Sequence, residues 1–227
     1  MEHTRIYVGW DCHDQRALDV CLFSIQRHAS DLVEIVSLKP KAITALCGPA
    51  PDPEGATRAR ARFLVPGLNG FTGWAAFVSS DMLFQADIYE LWQLRDPRYA
   101  VMGVAAGDVA ERGAPLRSSL LLWNCGHAAN RALTAETVAA TAPGRLERFG
   151  WLPSGTIGAL PSVWCWRDGD SDTDLAVDLA PKAIEFTPEK PWSEAAEISP
   201  YAELWRGEAE RIFGTLAFDD KRGMARA

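Results

Sequence analysis

"RIYVGWDCHDQRALDVCLFSIQRHASDLVEIVSL", residues 5–38, changes its period twice. The opening "RIYVGW" (Arg5 to Trp10) is apolar and β-branched in the manner of a buried first strand, and the polar "DCHDQ" stops it. From Arg16 onward Leu18, Cys21, Leu22 and Ile25 recur at i, i+3, i+4 and i+7, which is one helix face. His28 near the end of that run suits the negative pole of the helix dipole. "LVEIVSL" (Leu32 to Leu38) returns to strand character. Strand, helix and strand in such a short span predict a parallel βαβ unit, and with it an α/β fold.

The pattern continues outward from that unit. "KPKAITALCGPAPDPEG" (39–55) is rich in proline and glycine without a clear period and is expected to be a long loop over the sheet edge. "RFLVPGL" (62–68) reads as a helix cut short by Pro66, and "WAAFV" (Trp74 to Val78) as the next strand. Asp87 and Glu90 have capping-box spacing for a short helix. "YAVMGVA" and "SSLLLWNC" predict further strands, 134–149 a helix, "PKAIEF" a late strand, and "SPYAELWRGEAERIF" a terminal helix with Leu204, Trp205, Ile212 and Phe213 on its core face. One domain over 1–218 is expected, with a frayed tail over 219–227.

Composition narrows the function. With 48% hydrophobic and 23% charged residues the 227-residue chain has the makeup of an ordinary globular protein. Its five cysteines form no C-x-x-C pair, which argues against a zinc site and a disulfide framework. No secretory leader or membrane-length apolar run is recognisable, so a cytoplasmic protein is expected, at most peripheral to the inner face of the membrane. A formal net charge of −7 makes a broad nucleic-acid footprint improbable, and "TRARAR" (57–62), the one dense basic cluster, reads most simply as a solvated helix face.

In an open α/β sheet, ligands bind beyond the carboxyl ends of the strands. Asp11 after the first strand and Asp81 after "WAAFV" belong to that rim. The G-x-G-x-x-G loop of a dinucleotide fold is missing; "GVAAG" (103–107) has the wrong spacing and is expected to be a turn. Within "SSD", Ser79 and Asp81 would face the same way if the backbone stayed extended. The plain alternative for Asp81 is an N-cap for the segment that follows.

"RIYVGWD", "ARFLVPGL", "WAAFVSSDMLFQADIYELWQLRDPRYAVM", "SSLLLWNC", "IGALPSVWCW" and "KPW" fall in an order and spacing that resembles small bacterial glycosyltransferases similar to glycosyltransferase family 8, from Arg5 to about Trp192. The resemblance implies a GT-A-type single domain with a mostly parallel, Rossmann-like sheet flanked by helices. It also implies a nucleotide-sugar donor, most readily a UDP-sugar, a divalent cation such as Mn²⁺ or Mg²⁺, and transfer with retention at the sugar carbon. The acceptor would be a glycan, a lipid-linked glycan or a small molecule.

Position by position, the resemblance places Asp11 near the nucleoside and Arg62 on the donor phosphates. "SSD" falls on a D-x-D motif with Ser79 at the first aspartate, so Ser79, Ser80 and Asp81 would lie at the donor and its cation. "EFTPEKPW" (185–192) falls on H-x-G-x-x-K-P-W. There Glu185 replaces the histidine, and Lys190 and Trp192 remain beside the donor. The implied cation ligands are therefore Asp81, Glu185 and Ser79, and the groups implied at the reaction itself are Lys190, Asn124 of "LLWNC" and Thr156 before "IG". The plain alternatives are a surface salt bridge for Arg62, a solvated strand end for Glu185 and a turn-forming asparagine for Asn124. Because Ser79 and Glu185 depart from the motif, two other readings stand beside the metal-assisted enzyme: a nucleotide-sugar-binding scaffold without turnover, and a transferase in which cationic side chains replace the ion.

Overall fold

The strand–helix–strand prediction holds: β1 (Thr4–Gly9) and β2 (Val33–Leu38) run parallel and are joined by α1 (Gln15–His28). A computed structural model describes residues 4–10, 14–48, 55–106, 116–168, 180–186, 191 and 201–214. After β2 come α2 (Pro40–Cys47) and α3 (Gly55–Leu68), then β3 (Trp74–Ser79), β4 (Met82–Phe84), α4 (Ile88–Trp92), β5 (Val101–Ala105) and β6 (Leu116–Asn124). The chain continues through α5 (Ala135–Ala140), α6 (Pro143–Glu147), β7 (Ile157–Ala159), β8 (Trp166–Asp168), β9 (Ala183–Phe186) and α7 (Ala202–Phe213).

Six strands form the central sheet in the order β2-β1-β3-β6-β5-β7. Every pairing is parallel except those of β6, which runs against both β3 and β5. The fold is thus mixed α/β with a mostly parallel sheet, as the sequence predicts. Alternation along the strands divides the apolar residues between two helical layers. Ile6, Val8, Ala76, Val78, Leu120 and Leu122 pack with α1 and α4, while Tyr7, Ala75, Phe77, Leu121 and Trp123 pack with α2, α3, α5 and α6. A second, three-stranded sheet, β4-β9-β8, is backed by Val20 of α1 and by Trp205 and Ala209 of α7.

Several local expectations are corrected. The proline-rich stretch expected as loop contains α2, because Pro40 sits in its first turn, where a missing N–H costs nothing, and Ile43 supplies a buried anchor. Helix α3 passes Pro66 and ends at Leu68; so near its C-terminus a proline removes one hydrogen bond without stopping the helix. Residues 134–149 form two short helices instead of one: Thr134 caps α5, and Pro143 opens α6 after an extended break at Thr141. Asp87 does cap α4, accepting from Tyr89 N at 2.9 Å, but Glu90 pairs with Lys182 instead of closing the box. Gly103, expected in a turn, lies within β5. On α7, Trp205 is buried and Ile212 and Phe213 pack at the fringe of the third cluster, whereas Leu204 is 43% exposed. The tail 219–227 lies outside the described residues.

Candidate functional site

The parallel strands deliver Gly9 and Ser79 side by side at their carboxyl ends. There β3 stops, and Ser80 and Asp81 turn the chain directly into β4. The Ser80 N–H donates to the Gly9 carbonyl at 3.2 Å, and the Asp81 carbonyl accepts from Phe186 N at 3.1 Å, which ties the turn to both sheets. Two consequences follow for the sequence reading. The extended backbone that would keep Ser79 and Asp81 on one side is interrupted between them. A strand, not a helix, comes next, so Asp81 has no helix to cap.

Glu185 is the buried charge of this rim, 3% exposed on β9 opposite Met82. Ser119 Oγ donates to its Oε1 at 2.6 Å, Cys165 Sγ lies 3.5 Å from its Oε2, and Arg167 forms an ion pair with Oε2 at 3.4 Å. Burial, reinforced by the Glu185 carboxylate, pushes the Cys165 thiol well above the usual range, so it stays protonated and available as a donor. Glu185 is neither a solvated strand end nor an open ligand. It is an internal counter-charge.

Ser119 reaches Glu185 through a fault in the main sheet. The β5–β6 register shifts between Gly103, paired with Leu121, and Ala105, paired with Leu116. A bulge of this kind bends the strand and re-aims its side chains. Gly103 allows it, because a Cβ there would come within 3.0 Å of Leu116 and 3.1 Å of Leu121. On the bulged segment the Ser118 carbonyl accepts from Arg62 Nη1 at 3.3 Å, and Arg117 Nη1 donates to the Cys165 carbonyl at 3.2 Å. Burial lowers the pKa of the Arg62 guanidinium, opposed by the charges of Glu147, Asp81 and Glu185. Arg62, Asp81 and Glu185 therefore share one electrostatic neighbourhood.

The predicted site residues fall into three groups. Arg62, Ser79, Ser80, Asp81 and Glu185 come together at the carboxyl rim. Asp11, Lys190 and Trp192 lie outside the described residues. Asn124 and Thr156 stand at the other end of the sheet: Asn124 pairs with Trp74, five strand steps or about 17 Å from Ser79, and the Thr156 carbonyl accepts from Ala100 N. The structure does not bring them to the rim: β6 runs antiparallel and carries its C-terminal asparagine away from it, and Thr156 precedes the amino end of β7, which runs parallel to β5. Asn124 Nδ2 donates to the Tyr99 carbonyl at 3.2 Å. Asn124→Ala should accordingly cost about 1 kcal/mol of stability, seen as a lower unfolding midpoint, and leave ligand affinity unchanged. Trp164 is part of the core.

The implied cation set does not fit. Mn²⁺ and Mg²⁺ prefer several charged or carbonyl oxygens free to converge. Glu185 is already engaged by three donors, Ser79 brings a neutral hydroxyl, and Asp81 alone remains as a rim carboxylate. Among the described residues no three His, Cys, Asp or Glu side chains gather as a metal site. Sequence reasoning missed Arg117, Ser119, Cys165 and Arg167. The available signal was an arginine directly flanking each of two apolar strands, "RSSLLLW" and "WCWR".

No protein-family profile matches the chain. Protein CDI of Arabidopsis thaliana is 33% identical over 224 residues, covering 91% of this chain and 86% of the plant protein. Among solved structures, the bifunctional glycosyltransferase WbbM matches with a TM-score of 0.71 at 14% identity, over 92% of this chain, which spans 50% of that protein. The galactosyltransferase LgtC, solved with donor and acceptor sugar analogs, gives 0.64 at 11% identity and covers 92% of this chain and 96% of its own. GlyE of Streptococcus pneumoniae TIGR4 gives 0.64 at 14% identity over 92% of this chain, which spans 60% of GlyE. At such identities the likeness shows the fold, a glycosyltransferase-like α/β domain. Among the described residues no helix is long and apolar enough to cross a membrane.

Proposed function

The chain belongs to the family of Protein CDI of Arabidopsis thaliana, and from the glycosyltransferase-like fold and the sequence resemblance we propose that it transfers a sugar from a nucleotide-sugar donor to an acceptor. The observation that carries this reading is the meeting of Arg62, the Ser79–Asp81 turn and Glu185 at the carboxyl rim of the sheet. The donor is a uridine diphosphate sugar, and the transfer retains configuration at the sugar carbon; both follow from the sequence resemblance. When the sugar–phosphate bond breaks, negative charge accumulates on the departing diphosphate, and donors already fixed in place stabilise it without reorganising. Arg62 is such a donor, steadied by the Ser118 carbonyl and the rim carboxylates. Lys190 is assigned beside the diphosphate and Asp11 at the nucleoside. The leaving phosphate takes the acceptor's proton, so no protein nucleophile is required.

A second reading is favoured by the engagement of Glu185: a protein that binds nucleotide sugars without turning them over. A thermal-unfolding panel of nucleoside diphosphates and their sugars tests both. A ligand selective for the folded chain stabilises by mass action, by about 2.7 kcal/mol at a hundredfold excess over Kd, so UDP or a UDP-sugar should raise Tm. Release of UDP from the sugar then separates enzyme from binding protein. Flat unfolding curves across the whole panel defeat both readings.

A further inference from the structure

Resting on the nucleotide-diphosphate reading above, we propose that Arg117 and Arg167 act with Arg62 as a guanidinium site that holds the diphosphate without a divalent cation. The three side chains come from α3, β6 and β8 and surround the buried Glu185 at different removes. Arg167 pairs with Glu185 directly, Arg117 binds the carbonyl of Cys165, whose thiol lies against Glu185, and Arg62 binds the carbonyl of Ser118, next to the Ser119 that donates to Glu185. For Arg62 and Arg167, hydrogen-bonding capacity is only partly used among the described residues. Among the described residues, the buried Nε atoms of both Arg62 and Arg167 have no hydrogen-bond partner, and an unmatched buried donor is costly unless a ligand meets it. The contact of Arg167 with Glu185 is a single one at 3.4 Å, and its side chain remains 40% exposed, so most of the guanidinium fork is open to an incoming anion.

The substitution of ligand types points the same way. Serine stands at Ser79, and the carboxylate at Glu185 is neutralised internally, so the positive charge that a bound diphosphate needs cannot come from an ion held by that pair. Side chains can supply it instead. Guanidinium groups suit the task, because their planar fork donates two parallel hydrogen bonds to phosphate oxygens and stays charged even where burial lowers the pKa. Glu185 orients the fork from behind, through Arg167 and through Cys165. The bulge of β6 brings Arg117 to the rim.

The test is calorimetric titration of UDP into the full chain, in excess EDTA and in Mn²⁺, with uridine as the control that lacks phosphates. The expected result is UDP affinity in EDTA within about twofold of that in Mn²⁺. Arg117→Lys and Arg167→Lys, which keep the charge and the fold but not the fork, should each weaken UDP about tenfold and leave uridine unaffected, one charge-assisted phosphate contact apiece. Circular dichroism of both variants verifies folding. UDP binding that needs Mn²⁺ overturns the inference while sparing the nucleotide reading. So does cation-independent binding that neither variant weakens. No UDP binding in either condition removes both.

Discussion

Glu185→Ala should lower the unfolding free energy by about 2 kcal/mol, because it strands the buried donors that Glu185 accepts from, whereas Arg167, 40% exposed, can turn to solvent. The variant leaves Arg167 without its carboxylate, Ser119 Oγ without its acceptor and Cys165 Sγ facing a void. Chemical denaturation at neutral pH measures the loss. Glu185→Gln should recover part of it, since an amide oxygen can still accept from Ser119. An open cation ligand behaves differently: its removal relieves charge repulsion and leaves the apo protein as stable or more so. A loss of less than about 0.5 kcal/mol, within the range of an ordinary surface substitution, would return Glu185 to the role the sequence resemblance implies.

Trp205→Ala should cost about 4 kcal/mol, as full truncation of a buried aromatic does. Its ring is 1% exposed and closes the third apolar cluster with Val20, Leu83, Ile184, Phe186 and Ala209. That cluster backs Ile184 and Phe186 of β9, the strand carrying Glu185. The same variant should therefore weaken UDP at a temperature where circular dichroism still shows it folded. Full stability in Trp205→Ala would mean that α7 is not part of the cooperative unit. Unchanged UDP affinity would mean that the small sheet holds its place without it.

The parts of this structure legible in the sequence are those written in short-range periods. The change from period 2 to period 3.6 between Val8 and Ile25 marks β1 and α1, and the return at Val33 marks β2. Segment 39–55 misled because proline and glycine mark turns and helix starts alike, and only the burial of Ile43 in the core decides which. At the site, Asp81 and Ser79 were found because a strand ends there. Arg117 and Arg167 were not, since their meaning lies in Glu185, and its partners Ser119 and Arg167 are 66 and 18 residues away in the chain. Asn124 was misplaced because a strand-end polar residue says nothing about which end of the sheet its strand reaches, and the antiparallel direction of β6 is a tertiary fact.

β4 and β9 meet with Met82 against Glu185, two residues separated by about a hundred others. Chain closure over such a length is slow compared with the joining of β1, α1 and β2. It also has an order fixed by synthesis. On the ribosome, where domains fold as they emerge, every strand of the main sheet through Ala159 is made before the first residue of β9 exists. Arg62 and Arg117 thus stand at the rim of a nascent chain that has no Glu185 to hold them, and the rim stays unassembled until β9 adds its strand. A strand made late thus completes this rim, and its geometry exists only once β9 has joined β4.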